Sequence, residues 1–247
     1  MKTIYILWLR QVKRYWRSKP RLIGSLGQPL LFLVALGFGF GPIFERAGGG
    51  NYIQFLAPGI IAMSILFSSM FNGIEVIWDR QFGFLKETLV APISRIKIMV
   101  GRTLGGATVS TAQGIVVFLL SLIVGFRPAN WMYIPLALAF MFLTALLFTS
   151  LGTAVASRLE DMHAFQLIMN FLIMPTFFLS GALFPLKDLP KAINIVTSFN
   201  PLAYSVDALR FAFNGASGNI FLDFAVVGAA AVIVGLIGSY LFSKIEI

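Results

Sequence analysis

Six long stretches without a charged side chain constrain this sequence more than any other feature. Residues 22–44, 47–74, 103–126, 128–157, 162–186 and 224–243 contain no Asp, Glu, Lys or Arg. Each reaches the roughly 20 residues a helix needs to cross the roughly 30 Å hydrocarbon core of a bilayer. Soluble core helices are rarely so long or so uniform. Composition agrees: 58% of the 247 residues are hydrophobic and 12% are charged, whereas a soluble domain carries about a quarter charged. The reading is an all-α integral membrane protein, one transmembrane domain over residues 1–247, with spans at 22–44, 52–76, 98–125, 131–157, 163–184 and 222–243.

The positions of the cations set the orientation. The outer segments hold Arg46, Arg127, Lys187, Lys191 and Arg210, while the rest of the 19 Lys and Arg residues fall on inner segments. The positive-inside rule then puts both termini in the cytoplasm of a cell-membrane protein, and an even number of spans agrees. The net charge of +9 sits at membrane edges, which points to lipid headgroups and not to nucleic acid. The basic N-terminus has no short apolar core followed by a small-residue cleavage site, so no removable signal peptide is expected. The absence of cysteine excludes disulfides and thiolate metal sites.

Residues 3–19, "TIYILWLRQVKRYWRSK", place Ile4, Tyr5, Trp8, Leu9, Val12, Tyr15 and Trp16 on one side of a helix. Arg10, Lys13, Arg14 and Arg17 lie opposite. That pattern predicts an interfacial elbow helix, aromatic rings at the headgroup boundary and cations toward lipid phosphates, broken by Pro20 before the first span. Gly101 and Gly105 form a small-xxx-small pair suited to close helix contact, or a merely tolerated pair. After the fifth span, residues 180–215 are too apolar for a solvated loop, and Pro185, Pro190 and Pro201 cut them into pieces too short to cross. Re-entrant or interfacial outer helices over 186–215 are expected, covered by the spans because unpaired backbone is not tolerated in lipid.

Catalytic chemistry is sparse. His163 is the only histidine, and zinc sites want several donors. No span holds paired carboxylates for a proton or ion relay; Glu75 and Asp79, at the inner end of span two, are expected to be solvated or to pair with Arg80. Asn72, Gln113, Gln166 and Asn170 are polar at depth, where they line a pathway or bond between helices. No G-x-x-x-x-G-K-[ST] phosphate cradle occurs, so a nucleotide that drives this chain must bind another polypeptide. A secondary transporter or channel is the alternative reading, but it should show intramembrane charges, broken helices or a repeat. A membrane enzyme should cluster His, Asp or Glu at one interface. No catalytic residue, cofactor or metal site is assigned.

The inner segment between spans two and three, "WDRQFGFLKETLVAPIS", reads as a short amphipathic helix over 80–91. Phe82, Leu85 and Leu89 share one face, and Arg80, Gly83 and Glu87 the other. Pro92 stops it by pushing Ala91 out of the helical region. A polar loop would have joined two spans; an apolar face there needs a partner.

These residues carry a resemblance. "WDRQFGFLKETLVAPISR" resembles the cytoplasmic coupling segment of ABC type-2 transporter permeases, in the form of the antibiotic-resistance and nodulation-factor exporter branch. "FFLSGALFPLKDLP" and "FNPLAYSVDALR" resemble that family's outer segment and its re-entrant continuation, so the likeness covers essentially the whole chain. The commoner family form has a glutamate–arginine pair and G-T-L-E where Asp79, Phe84 and Lys86 stand, so contacts of those carboxylates are not carried over.

The resemblance implies a half-channel that pairs as a homodimer, or with a similar subunit, above two copies of a separate ABC ATPase subunit that holds ATP and Mg. The expected cargo is hydrophobic or amphipathic: a drug-like molecule, a lipid or a glycolipid. The coupling helix would sit in a groove of the ATPase, with Arg80, Gln81, Phe84, Lys86, Glu87 and Thr88 at the contact and Phe82, Leu85 and Leu89 toward the permease. Simple anchoring at the lipid interface is the other role open to that helix. Cargo would pass between subunits along spans one, two and five. Phe32, Met63, Phe67, Asn72, Phe171, Met174 and Phe178 are the candidate lining, since Met and aromatic faces accept varied apolar molecules; ordinary packing or lipid contact is their alternative.

Overall fold

The computed structural model describes residues 2–84, 93–159, 161–186 and 190–244. Within them the chain is helical and joined by turns. Helix α1 (Lys2–Arg17) is followed by α2 (Lys19–Arg46), α3 (Tyr52–Gln81), α4 (Arg95–Val124) and α5 (Ile134–Arg158). A composite helix α6 (Met162–Phe178), then α7 (Lys191–Ser198), α8 (Pro201–Asn214) and α9 (Ile220–Ser243) complete it. Among the described residues, five segments are long and apolar enough to span a membrane: Ile23–Arg46, Tyr52–Gln81, Arg95–Val124, Trp131–Arg158 and Ile220–Ser243.

Several boundaries differ from the sequence expectation. The break between α1 and α2 falls at Ser18, and Pro20 sits in the first turn of α2. There its missing N–H costs nothing, because that donor has no intrahelical partner anyway. Helix α3 runs to Gln81, beyond the expected 76, and α4 begins at Arg95, before 98; polar residues at a helix end extend it into the headgroup zone. Helix α6 stops at Phe178, short of 184, and contains a π-helical stretch, Met169–Ile173, immediately before Pro175. Proline cannot donate to the preceding turn, and a π-bulge absorbs that defect. Gly181 then adopts φ +74° in the turn that follows. At 1.5 Å per residue α6 is about 25 Å long.

Helix α3 is the centre of the bundle and packs against α2, α4, α5 and α8. Asn51 caps it, accepting from the Ile53 and Gln54 amides, which supplies partners for two orphan donors of the first turn. Mid-bundle, α3 and α5 approach backbone to backbone. A Cβ placed on Gly73 would lie 2.3 Å from the Gly152 carbonyl oxygen, the kind of contact that small residues allow between membrane helices. Helices α2 and α9 are peripheral, with few of their residues buried.

The stretch expected as outer helices folds as α7 and α8, tied to the end of α6. Asn200 works at both ends of its amide. Its oxygen accepts from the Leu202 N–H at the start of α8, and its Nδ2 donates to the Thr176 carbonyl at 2.7 Å. The turn at 180–184 lies against α3, where a Cβ on Gly59 would come 2.2 Å from the Ala182 carbonyl oxygen.

Candidate functional site

The C-terminal end of α3, expected on the inner side, gathers the charges that the sequence left scattered. Asp79 and Glu75 are 4% and 3% exposed. Arg102 of α4, also buried, donates from Nη2 to Asp79 Oδ2. Two arginines of the elbow helix close on the same pair. Arg10 Nη2 lies 3.6 Å from Asp79 Oδ1, and Arg14 Nη1 lies 3.7 Å from both Glu75 Oε2 and Asp79 Oδ1. The expected solvated carboxylates are therefore buried, and Asp79 pairs with three arginines other than Arg80. Arg80 instead donates to the carbonyls of Leu159 and Ser157, at 3.2 and 3.0 Å, where α5 has run out of backbone donors. Ion pairs so enclosed are screened only weakly by solvent, and the Arg102–Asp79 contact is in addition a charge-assisted hydrogen bond.

Helix α1 reaches this position through the glycine pair. Cβ atoms on Gly101 and Gly105 would lie 2.9 Å from Leu7 Cβ and 2.7 Å from Gln11 Cβ, so the pair serves close contact with the elbow. Trp8 Nε1–H donates to Thr108 Oγ1 at 2.9 Å. The apolar side of α1 is thus divided: Ile4, Leu7 and Trp8 meet α4, while Tyr5 and Trp16 stay exposed. Of its cations, Arg10 and Arg14 turn to the carboxylates.

Immediately past this base the predicted coupling helix begins, and its first two residues, Arg80 and Gln81, belong to α3 itself. Phe82 caps the helix and is 75% exposed; Gly83, at φ +80°, turns the chain; Phe84 is exposed beneath Arg10, whose guanidinium carbon is 5.9 Å from the ring centroid. Leu85, Lys86, Glu87, Thr88 and Leu89 lie outside the described residues.

The candidate lining residues separate into three groups. Met63 is buried in the core, and Asn72 is buried while donating to the Gly106 carbonyl and Ser110 Oγ, both at 3.1 Å. Those two hold helices together within the subunit. Phe67 and Phe178 border two cavities on one side of the bundle. An inner cavity of about 430 Å³ combines Phe67, Phe71 and Trp78 with Ser25, Gln28 and Gln113. An outer, almost wholly apolar one of about 400 Å³ is bordered by Phe40, Phe44, Phe178 and Phe184. Phe177 stands between their walls, its ring centroid 6.1 Å from Phe67 and 5.4 Å from Phe178. Phe171 faces outward, Phe32 and Met174 are half-buried, and both Gln166 and Asn170 are exposed. Gln113, polar at depth, ties helices together: Tyr15 donates to its oxygen and its Nε2 donates to the Ser25 carbonyl.

At the outer end Arg210 of α8 fixes the 180–184 turn. It donates to the Gly181 carbonyl at 2.6 Å, lies 3.8 Å from the centroid of the Phe55 ring and pairs with Asp207 at 3.9 Å. Burial pulls its pKa down to about 10 against the opposing pull of Asp207. The same burial raises Asp207, with Arg210 opposing. Tyr52 adds a 2.8 Å bond to the Leu183 carbonyl. Among the described residues no group of three His, Asp or Glu side chains could hold a metal ion. The carboxylate–arginine base was missed in the sequence because its members come from three helices; the one signal was Arg102, a lone cation a full turn inside an apolar helix.

Comparison with known proteins identifies relatives of the chain. The profile of the ABC-2 type transporter family matches residues 2–214. Nodulation protein J of Rhizobium leguminosarum bv. viciae is 31% identical over 191 residues, covering 76% of this chain and 73% of that protein. The ycf38 protein of Cyanophora paradoxa, which carries a transport-permease designation, is 28% identical over 262 residues, covering 99% of this chain and 89% of its own.

Proposed function

Since this chain belongs to the ABC-2 type transporter family, and is thus the multi-pass membrane permease of an ABC transporter that works with an ATPase, we propose that it is the membrane half of an exporter. Its cargo is a hydrophobic or amphipathic molecule moved out of the cytoplasm, and ATP and Mg are held by two copies of a separate ATPase subunit. The single observation that carries this reading is the family match across residues 2–214. The cation-rich segments expected on the inner side support cytoplasmic termini, and the resemblance of residues 78–95 to the exporter branch supports the direction.

Helix α6 serves as the sixth span, its length at the lower end of the roughly 17–25 residues that cross a bilayer, with the turn after it completing the passage, and residues 180–215 form the re-entrant outer element. Two such subunits meet across the aromatic side that carries Phe67, Phe171 and Phe178, where α2 leaves its rings unburied. Residues 80–91 dock in the ATPase. Because Arg80 and Gln81 at the start of that segment belong to α3, a displacement of the docked segment reaches the span directly.

The test is co-purification with a candidate ABC ATPase subunit from the same genome, followed by a screen for compounds that stimulate ATP hydrolysis in vesicles. A stable complex whose hydrolysis rises with amphiphiles is expected. A chain that binds no ATPase, or moves cargo without ATP, would overturn the proposal.

A further inference from the structure

The charged base does more than neutralise buried groups. Helix α1 is already attached to α4 by packing on Gly101 and Gly105 and by the Trp8–Thr108 hydrogen bond; none of that needs a carboxylate. What Asp79 adds is a connection to α3. Its two oxygens receive Arg102 from α4 and Arg10 and Arg14 from α1, so three helices meet on one side chain. It stands two residues before the last residue of α3, Gln81, where that helix hands over to the coupling segment.

Charge counting shows why the joint needs the Asp79 carboxylate. Three guanidinium groups converge on two carboxylates. Removing one leaves three cations around Glu75 alone, and a buried charge without its partner is strongly unfavourable. Arg10 and Arg14 keep side-chain exposures of 41% and 38%, so they can swing into solvent once the carboxylate is lost. Arg102, 4% exposed, cannot. The break would therefore open between the base of α3 and the α1–α4 pair, which stays packed.

We propose that Asp79 is a positioning residue for transport: it locks the elbow helix, the base of α3 and α4 into one body, so that displacement of the coupling segment moves all three together. This rests on the reading of the chain as an ATP-driven permease, but the joint itself can be tested without an ATPase. The native chain has no cysteine, so spin labels can be placed through Lys13→Cys and Phe82→Cys in the full chain. Labelled chain is reconstituted in lipid nanodiscs with excess native chain, so that each pair reports one protomer. A single narrow distance distribution is expected with Asp79 intact, a broadened one with Asp79→Asn, and a narrow one again with Asp79→Glu. An unchanged distribution in Asp79→Asn overturns the joint.

Its role in transport is read with the partner ATPase and no introduced cysteines. Asp79→Asn is expected to lower kcat for ATP hydrolysis about tenfold with KM for ATP unchanged, because the nucleotide sits on the other subunit. Replacing the pair together, Asp79→Leu with Arg102→Leu, removes the buried charge problem and is expected to restore thermal stability but not kcat, since Arg10 has lost its carboxylate and Arg14 keeps only Glu75. Recovery of kcat along with stability would make Asp79 merely structural and overturn the positioning role. A native chain that binds no ATPase would sink the transport reading instead, leaving the spin-label result to decide the joint.

Discussion

Asn214, the last residue of α8, donates its side-chain N–H to the carbonyl of Gln54 at 2.7 Å. Pro58 lies four residues after Gln54 within α3 and has no N–H to give that carbonyl. The outer helix thus supplies the donor that proline withholds, and a proline inside a membrane helix becomes a docking point for the next element.

Asn214→Ala should cost about 1 kcal/mol, the usual net worth of such a bond. In a Pro58→Ala background the residue 58 amide satisfies Gln54 and the same substitution should cost clearly less. A double-mutant cycle on thermal unfolding measures the difference; equal costs in both backgrounds would refute the pairing.

Gly73→Val places a side chain where the Gly152 carbonyl oxygen would be 2.3 Å from its Cβ, and backbone cannot yield as a side-chain tip can. A loss of about 3 kcal/mol, at the upper end of overpacking costs, is expected. Gly228→Ala, where a Cβ meets nothing within 4 Å, should stay within about 0.5 kcal/mol of the parent. Melting of the two purified variants side by side checks this.

Arg210→Ala removes the donor to Gly181 and leaves that carbonyl unpaired, an expected loss of about 2 kcal/mol. Arg210→Lys keeps the charge but not the planar fork, so it should recover only part of it. Limited proteolysis near residues 180–186 should speed up in the same order.

Leu85→Asp or Glu87→Arg should abolish stimulated ATP hydrolysis while the permease still purifies as a folded protein. Pull-down of the ATPase is the direct measurement. Undiminished binding in both variants would remove the docking role from residues 80–91.

Cysteine placed at Phe67 or Phe178 should react with a maleimide in a way that shifts with nucleotide and amphiphile. Cysteine at Met63, a position 1% exposed, should stay unreactive throughout. Reactivity at the first two sites that ignores both additions would take them out of the cargo path.

The residue order alone determined that this chain is a helical membrane protein, because a run of some 20 uncharged residues has few alternatives to a helix in lipid. It also determined the family, through three local motifs, and an amphipathic α1 through spacing. Span ends were less legible: nothing local shows that α3 continues to Gln81, since the carbonyls and carboxylates that hold Arg80 and Arg102 come from other helices. Only the tertiary structure decided that Asp79 gathers three arginines, that Met63 and Asn72 are internal, and that Gly101 and Gly105 receive the elbow. These are contacts between residues 20 to 100 positions apart. Hydropathy is a property of a segment, but the partner of a buried charge is fixed by how whole helices cross, which no segment encodes by itself.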